Sequence, residues 1–229
     1  MCKHFKKFSH FEWITLLPEP LPSPTFIKLQ KFKLRHHFDD NTYGPVYEVE
    51  TVTTPCLDAV VIIIYTLVPL PQVILRQGIR PAAACRTLLS LPGGRKEKLP
   101  PIFWELPAGG VELSDWEKNP DTALQLRAEQ ESWEEVGLRL PSDSFFELGP
   151  SIFLASAFSP ERIHFMAISR SQSGPFDIAP PGDGHPMEQG AWAQWVVLDE
   201  ALNWCRNGEV IDSKTEIGLR RLSEYLNKI

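Results

Sequence analysis

The stretch "EQESWEEVGL", residues 129–138, carries four glutamates within seven positions: Glu129, Glu131, Glu134 and Glu135. On a helix, spacings of three and four set side chains on one face. Glu131, Glu134 and Glu135 then crowd together, and like charges at that spacing cost helix stability. Such a face is either solvated or holds a cation. The surrounding residues support a helix over "PDTALQLRAEQESWEEVG" (120–137). Pro120 suits a first turn, Asp121 favours the positive end of the helix dipole, and Gly137 sits where a C-cap belongs. Leu126, Trp133 and Val136 are expected on the packing face. Arg127, Glu131, Glu134 and Glu135 are expected on the opposite, outward face. A set of hard oxygen ligands of this kind suits Mg²⁺, which keeps several waters and leaves positions open for substrate phosphates.

Working outward, "CLDAVVIIIYTLVPLPQVIL" (56–75) approaches transmembrane length. It contains Asp58, Pro69, Pro71 and Gln72, however, so "PLP" reads as a turn between two buried strands. No membrane span is expected. Before it, "TFIKLQKFKLRHHF" and "GPVYEVETV" alternate as strands of a small antiparallel sheet joined around "DDNTYG". After it come a polar-ended excursion, "AAACRTLLSLPGGRKEKLP", and a strand, "PIFWELPAGG", running into a glycine turn. Strands at "FFELGPSIFLAS", "RIHFMAISR" and "AQWVVL" follow the helix, and two helical segments close the chain. Strands dominate, so an α+β layered fold is expected. The organisation reads as an N-terminal extension (1–24), a small lobe (25–55) and a main domain (56–229).

The 229 residues are 43% hydrophobic and 23% charged, which is ordinary globular composition. A net charge of -6 argues against a broad nucleic-acid surface. Cys2, Cys56, Cys85 and Cys205 show neither zinc-site nor disulfide-framework spacing, and reduced thiols in a cytoplasm are expected. The basic start, "MCKHFKKFSHFEW", lacks the apolar core of a signal peptide.

Residues 129–138 resemble the second half of the Nudix box, G-x5-E-x7-R-E-U-x-E-E-x-G-U. Glu131, Glu134, Glu135, Gly137 and Leu138 fall on its positions. "WELPAGG" (104–110) looks like the E-x-P-A-G entry of the ADP-ribose and ADP-sugar pyrophosphatase branch. "VILRQGIRP" (73–81), "SPERIHFMA" (159–167) and "QWVVLDEALNWCRNGEVIDSKT" (194–215) are similar to later and earlier blocks of that branch, in its order. The resemblance implies a Nudix-type α/β/α sandwich with a mixed sheet and an antiparallel N-terminal lobe that serves dimerisation and substrate binding. It also implies Mg²⁺, with Mn²⁺ as a substitute. The reaction implied is hydrolysis of ADP-ribose or another nucleoside diphosphate sugar by a homodimer.

Glu131 and Glu135, four residues apart, are the principal candidate metal ligands. Glu134 is a third ligand or a holder of metal-bound water, and the resemblance adds the carbonyl of Ala108. A general base belongs on a mobile loop; Glu188 in "SGPFDIAPPGDGHPMEQG" is the first candidate and Glu161 the second. Arg76 and Arg80 are candidates for phosphate contacts, since a guanidinium fork matches phosphate oxygens. Glu105 is expected to position such basic groups, and one of the two arginines is alternatively its partner. His164 reads as a satisfied strand histidine.

Three departures stand out. Gln130 occupies the box arginine's place, with Arg127 one turn earlier as a stand-in. "SDWEKNP" (114–120) reads as an insertion, and Gly190 stands where the branch has a second loop glutamate, so that the metal site either holds fewer ions or recruits Asp183 or Glu161. A nucleotide-sugar sensor without turnover, or a hydrolase of another nucleoside diphosphate derivative, are the alternatives.

Overall fold

A nine-residue run buried on both faces organises the fold. The computed structural model describes residues 26–36, 38–39, 43–88, 102–171, 177–188 and 190–228. The extension 1–24 and much of the excursion at 82–100 lie outside them.

The described elements are, in order, β1 (Lys28–Leu34), β2 (Tyr47–Thr53), β3 (Asp58–Thr66), β4 (Gln72–Ile79), α1 (Pro81–Ala84), β5 (Ile102–Glu105), β6 (Ala108–Val111), α2 (Leu113–Lys118) and α3 (Ala123–Val136). Then follow β7 (Phe146–Glu147), β8 (Ile152–Phe153), β9 (Arg162–Arg170), β10 (Asp177–Ile178), β11 (Ala193–Val197), α4 (Leu198–Asn207) and α5 (Ser213–Leu226). Strands β3 to β11 form one mixed sheet, ordered β10-β11-β4-β3-β9-β7, with β5 on β4, β6 on β3 and β8 on β9. The β3–β9 pair is parallel from Asp58↔Arg162 to Thr66↔Arg170, and the other pairs are antiparallel.

Because strand side chains alternate, β3 feeds two cores. Val61, Ile63 and Tyr65 pack with Leu75, Phe165 and the α4 and α5 residues Leu198, Ala201, Leu202, Leu219 and Leu222. Val60, Ile62 and Ile64 pack with Ile74, Met166, Trp195 and the α3 residues Ala123, Leu124, Ala128 and Val136. Helices thus cover both faces, and a strand buried on both sides reads as a continuous apolar run. That accounts for the membrane-like stretch at 56–75: it is β3, a turn and the start of β4. Among the described residues, no helix is long and apolar enough to cross a membrane.

The expected helix from Pro120 is two helices. Asn119, forced out of helical conformation by the following proline, sits at φ -146° and ends α2, and α3 begins at Ala123. The reading of 114–120 as an insertion therefore lands on a short helix, begun by a reciprocal pair of bonds between Glu112 and Asp115. The C-terminus falls where expected. Gly137 adopts φ 72°, its N–H donates to Trp133 O (2.9 Å), and the Leu138 N–H reaches Ser132 O (3.0 Å).

At the other end of the chain, Thr215 in the first turn of α5 is fully buried. Its Oγ1 accepts the Leu106 N–H (2.9 Å) and donates to Asp212 Oδ2 (2.5 Å), which ties α5 to the turn between β5 and β6. The small lobe is a β1–β2 ribbon. Its register pairs Phe32 with Val49 and Leu34 with Tyr47 on one face. The other face carries Lys31–Glu48 (2.6 Å) and Lys33–Glu48 (3.5 Å) ion pairs. The Val52 N–H to Phe158 O bond (2.7 Å) links the ribbon to the turn between β8 and β9.

Candidate functional site

Beside β6 lies a cleft of about 590 Å³. Its floor is Ala59, Val61 and Ile163 with the Ala108–Gly110 backbone; Arg127, Gln130, Glu131 and Glu134 of α3 form one wall. Arg80, Glu161, Lys214, Asp183 and Glu188 also line it, with Phe26 and Leu154 as apolar members. The chain therefore brings together residues from β3, the segment just past β4, β6, α3, β9, the 180–190 loop and α5. Most of the sequence-derived candidates meet here: Arg80, Ala108, Glu131, Glu134, Glu161 and Glu188 all line the cleft, whereas Arg76, Glu105 and Glu135 do not.

The orientation of α3 differs from the sequence expectation. Val136 is buried as expected, with Leu124, but the inward face also carries Ala123, Ala128 and Ser132 and the charged Arg127 and Glu135, while Leu126 is 36% exposed. The reason is close packing on the glycines of β6. A Cβ at Gly109 would collide with the Glu131 carboxylate, which lies directly against that backbone. Glu131 and Glu135 thus turn inward instead of facing solvent. The cost shows at Glu131, whose carboxyl burial pushes up to about 7, with Arg127 opposing the shift and Glu134 and Glu188 adding to it.

Glu135 is the clearest correction. It is 6% exposed and not on an outward face. One carboxylate oxygen accepts from the Arg76 guanidinium and the other from the Ala108 N–H (2.8 Å). Arg76, itself 3% exposed, is accordingly an internal counter-ion of α3 and not an arginine displayed to a phosphate. Its second carboxylate neighbour, Glu105 Oε1, stands 3.9 Å away.

Glu105 behaves as expected of a residue that positions cations. It is 1% exposed and receives the Arg80 fork, Nε at 3.0 Å and Nη2 at 2.6 Å, together with Lys214 Nζ at 3.3 Å. It is not itself part of the cleft lining. Arg127 does stand beside Glu131 (3.6 Å), but its main partner is Asp115, reached by Nε (3.1 Å) and Nη2 (2.5 Å). Gln130, in the box arginine's place, donates to Glu134 Oε1 (3.0 Å).

In the 180–190 loop, Glu188 Oε2 accepts the Asp183 N–H (2.6 Å). Burial raises the Glu188 carboxyl above its ordinary value; the Asp183 N–H opposes this and the Asp183 carboxyl adds to it. Burial also raises Glu161, against the pull of Lys214. His164 is a satisfied strand histidine, bonded through Nε2 to Asp58 Oδ1 (2.8 Å).

The donor chemistry fits a hard divalent cation, since Glu131 and Glu134 offer carboxylate oxygens on the α3 side of the cleft, with Arg127 beside them. Among the described residues, no three His, Cys, Asp or Glu side chains are already gathered as a metal-ligand group. Two participants escaped the sequence reading: Asp115, which anchors Arg127, and Lys214. A signal for Lys214 existed, because a cation in the first turn of a helix opposes the helix dipole. No model of a known protein family matches the chain, and no curated protein matches it.

Two predictions follow from these contacts. Glu135→Gln keeps an acceptor for the Ala108 N–H but leaves the buried Arg76 without its close counter-ion, and should cost about 3 kcal/mol. Thermal or denaturant unfolding checks it; a variant as stable as the wild type contradicts the assignment. For Glu131, the folded carboxyl holds its proton to about 7 while the unfolded one ionises near its ordinary, lower value. Between those values the native state binds more protons, so stability falls as pH rises through that window and levels off above it. Glu131→Gln should flatten that fall in melting temperature. An unchanged slope between pH 4.5 and 7 refutes it.

Proposed function

We propose that this chain is a divalent-metal-dependent hydrolase of the Nudix type. Its substrate is ADP-ribose or another nucleoside diphosphate sugar, and its products are a nucleoside monophosphate and a sugar phosphate. The observation that carries the reading is the make-up of the cleft: α3 carboxylates lie on a glycine strand, facing a space shared with Arg80 and Lys214. The order of the sequence blocks around that cleft supports it.

In this proposal Glu131 and Glu134 hold Mg²⁺, or Mn²⁺ in its place. The ion supplies charge neutralisation of the phosphate oxygens and a more acidic water. Arg80, its Nε and Nη2 fixed on Glu105, offers the remainder of its guanidinium to a phosphate. Glu188 takes the proton of the attacking water as the new P–O bond forms and the bridging P–O bond breaks. Burial raises its proton affinity, the direction a general base needs. Glu161 is the alternative base. Glu135 maintains the seat of α3 through Arg76.

A second reading, a nucleotide-sugar sensor without turnover, draws support from the internal use of Glu135. A screen of nucleotide sugars with Mg²⁺, reading released monophosphate through a coupled phosphatase step, separates the two. Turnover supports the hydrolase, and binding without turnover supports the sensor. On the best substrate, Glu188→Gln should lower kcat by roughly 10²–10⁴-fold with little change in KM. Unchanged kcat removes Glu188 from the mechanism.

The protein is also proposed to be a homodimer through its small lobe. The β1–β2 ribbon exposes Phe32 and Leu34, and a two-stranded ribbon is marginally stable alone. Light scattering at micromolar concentration should report twice the chain mass; a monomer refutes it.

A further inference from the structure

We infer that Lys214 binds the anionic phosphate portion of the substrate, jointly with Arg80, at a cationic pole of the cleft held from beneath by Glu105. The inference rests on the diphosphate reading above and adds a residue to it.

Lys214 occupies an electrostatically poor position. It is the second residue of α5, where the helix dipole is positive and a cation is unfavourable. Glu105 (3.3 Å) and Asp212 (2.8 Å) hold it there. Neither carboxylate depends on it alone. Glu105 already carries the Arg80 fork, with Arg76 3.9 Å away. Asp212, the N-cap of α5, already accepts from the Thr215 N–H (3.0 Å) and Thr215 Oγ1 (2.5 Å). Lys214 joins Arg80 as the second cation bonded to Glu105 and is itself paired with Asp212. Both Lys214 and Arg80 line the cleft, and the Lys214 charge is felt by Glu161 across that space.

The known bonds use two of the three ammonium protons. They also engage only the Nε and Nη2 side of the Arg80 guanidinium, whose side chain is 39% exposed. Among the described residues the remaining donors have no partner. A phosphate oxygen bridging the two cations satisfies them, and it offsets both their mutual repulsion and the dipole. A neutral base or sugar hydroxyl does neither. The pole therefore selects the phosphate end of a substrate, while the α3 carboxylates define the other side.

The test is calorimetric titration of the full chain with inorganic pyrophosphate in chelator, so that no metal carries the affinity. Lys214→Met should weaken binding about tenfold or more and flatten its salt dependence. Lys214→Arg, which keeps the charge, should stay within about threefold. With substrate and Mg²⁺, Lys214→Met should raise KM by more than it lowers kcat. If folded Lys214→Met binds as the wild type does, or if Lys214→Arg loses as much affinity as Lys214→Met, Lys214 is only structural and the inference is overturned, with the hydrolase reading intact. If the wild type neither binds pyrophosphate nor turns over any nucleotide sugar, both fall.

Discussion

Glu105 is the constraint on which the arrangement depends. A carboxylate with 1% exposure has lost its hydration and must be matched by fixed cations. Those cations come from two distant segments, Arg80 just past β4 and Lys214 on α5. Gly78 on β4 has no side chain because a Cβ there would collide with the Glu105 carboxylate. The antiparallel register that places Arg76 opposite Glu105 is thereby locked, since a one-residue slip would send every side chain of β5 to the other face. The sheet and the cationic wall are one problem solved together.

Much of the fold was legible from pattern alone. The β3–β4 hairpin was betrayed by prolines within an otherwise unbroken apolar run, and the end of α3 by Gly137. The orientation of α3 was not, for a physical reason. Helical-wheel reasoning assumes that large apolar side chains face inward, but Gly109 of β6 leaves room for the Glu131 carboxylate instead. Ala128 and Ser132 are buried on α3 while Leu126 stays at the surface. The start of α3 was misjudged because Pro120 was read as a first-turn residue. Its stronger effect is on Asn119 before it, which ends the preceding helix.

The site was legible where its residues are close in sequence and hidden where they are not. Glu131 and Glu134 were marked by spacing, and Glu105 by its place before a glycine turn. The partnership of Arg76 with Glu135 spans 59 positions and that of Lys214 with Glu105 spans 109, so neither leaves a local periodic trace. Arg127 was tied to Glu131 by helical spacing. Its stronger bond to Asp115 depends on a second helix folding back, which spacing within α3 cannot reveal.

The parallel pairing of β3 with β9 has a consequence for how the chain reaches its native state. These two strands form the centre of the sheet, yet Asp58 and Arg162 are separated by roughly one hundred residues of chain, a loop whose closure entropy must be met before the pair is rewarded. During synthesis the Val60–Ile64 run emerges long before β9 exists to cover it. Until then its stickiest side is an unpaired edge of five consecutive β-branched residues, the kind of segment that pairs with other chains. The same apolar continuity that makes β3 the backbone of the folded molecule makes it the nascent chain's chief hazard.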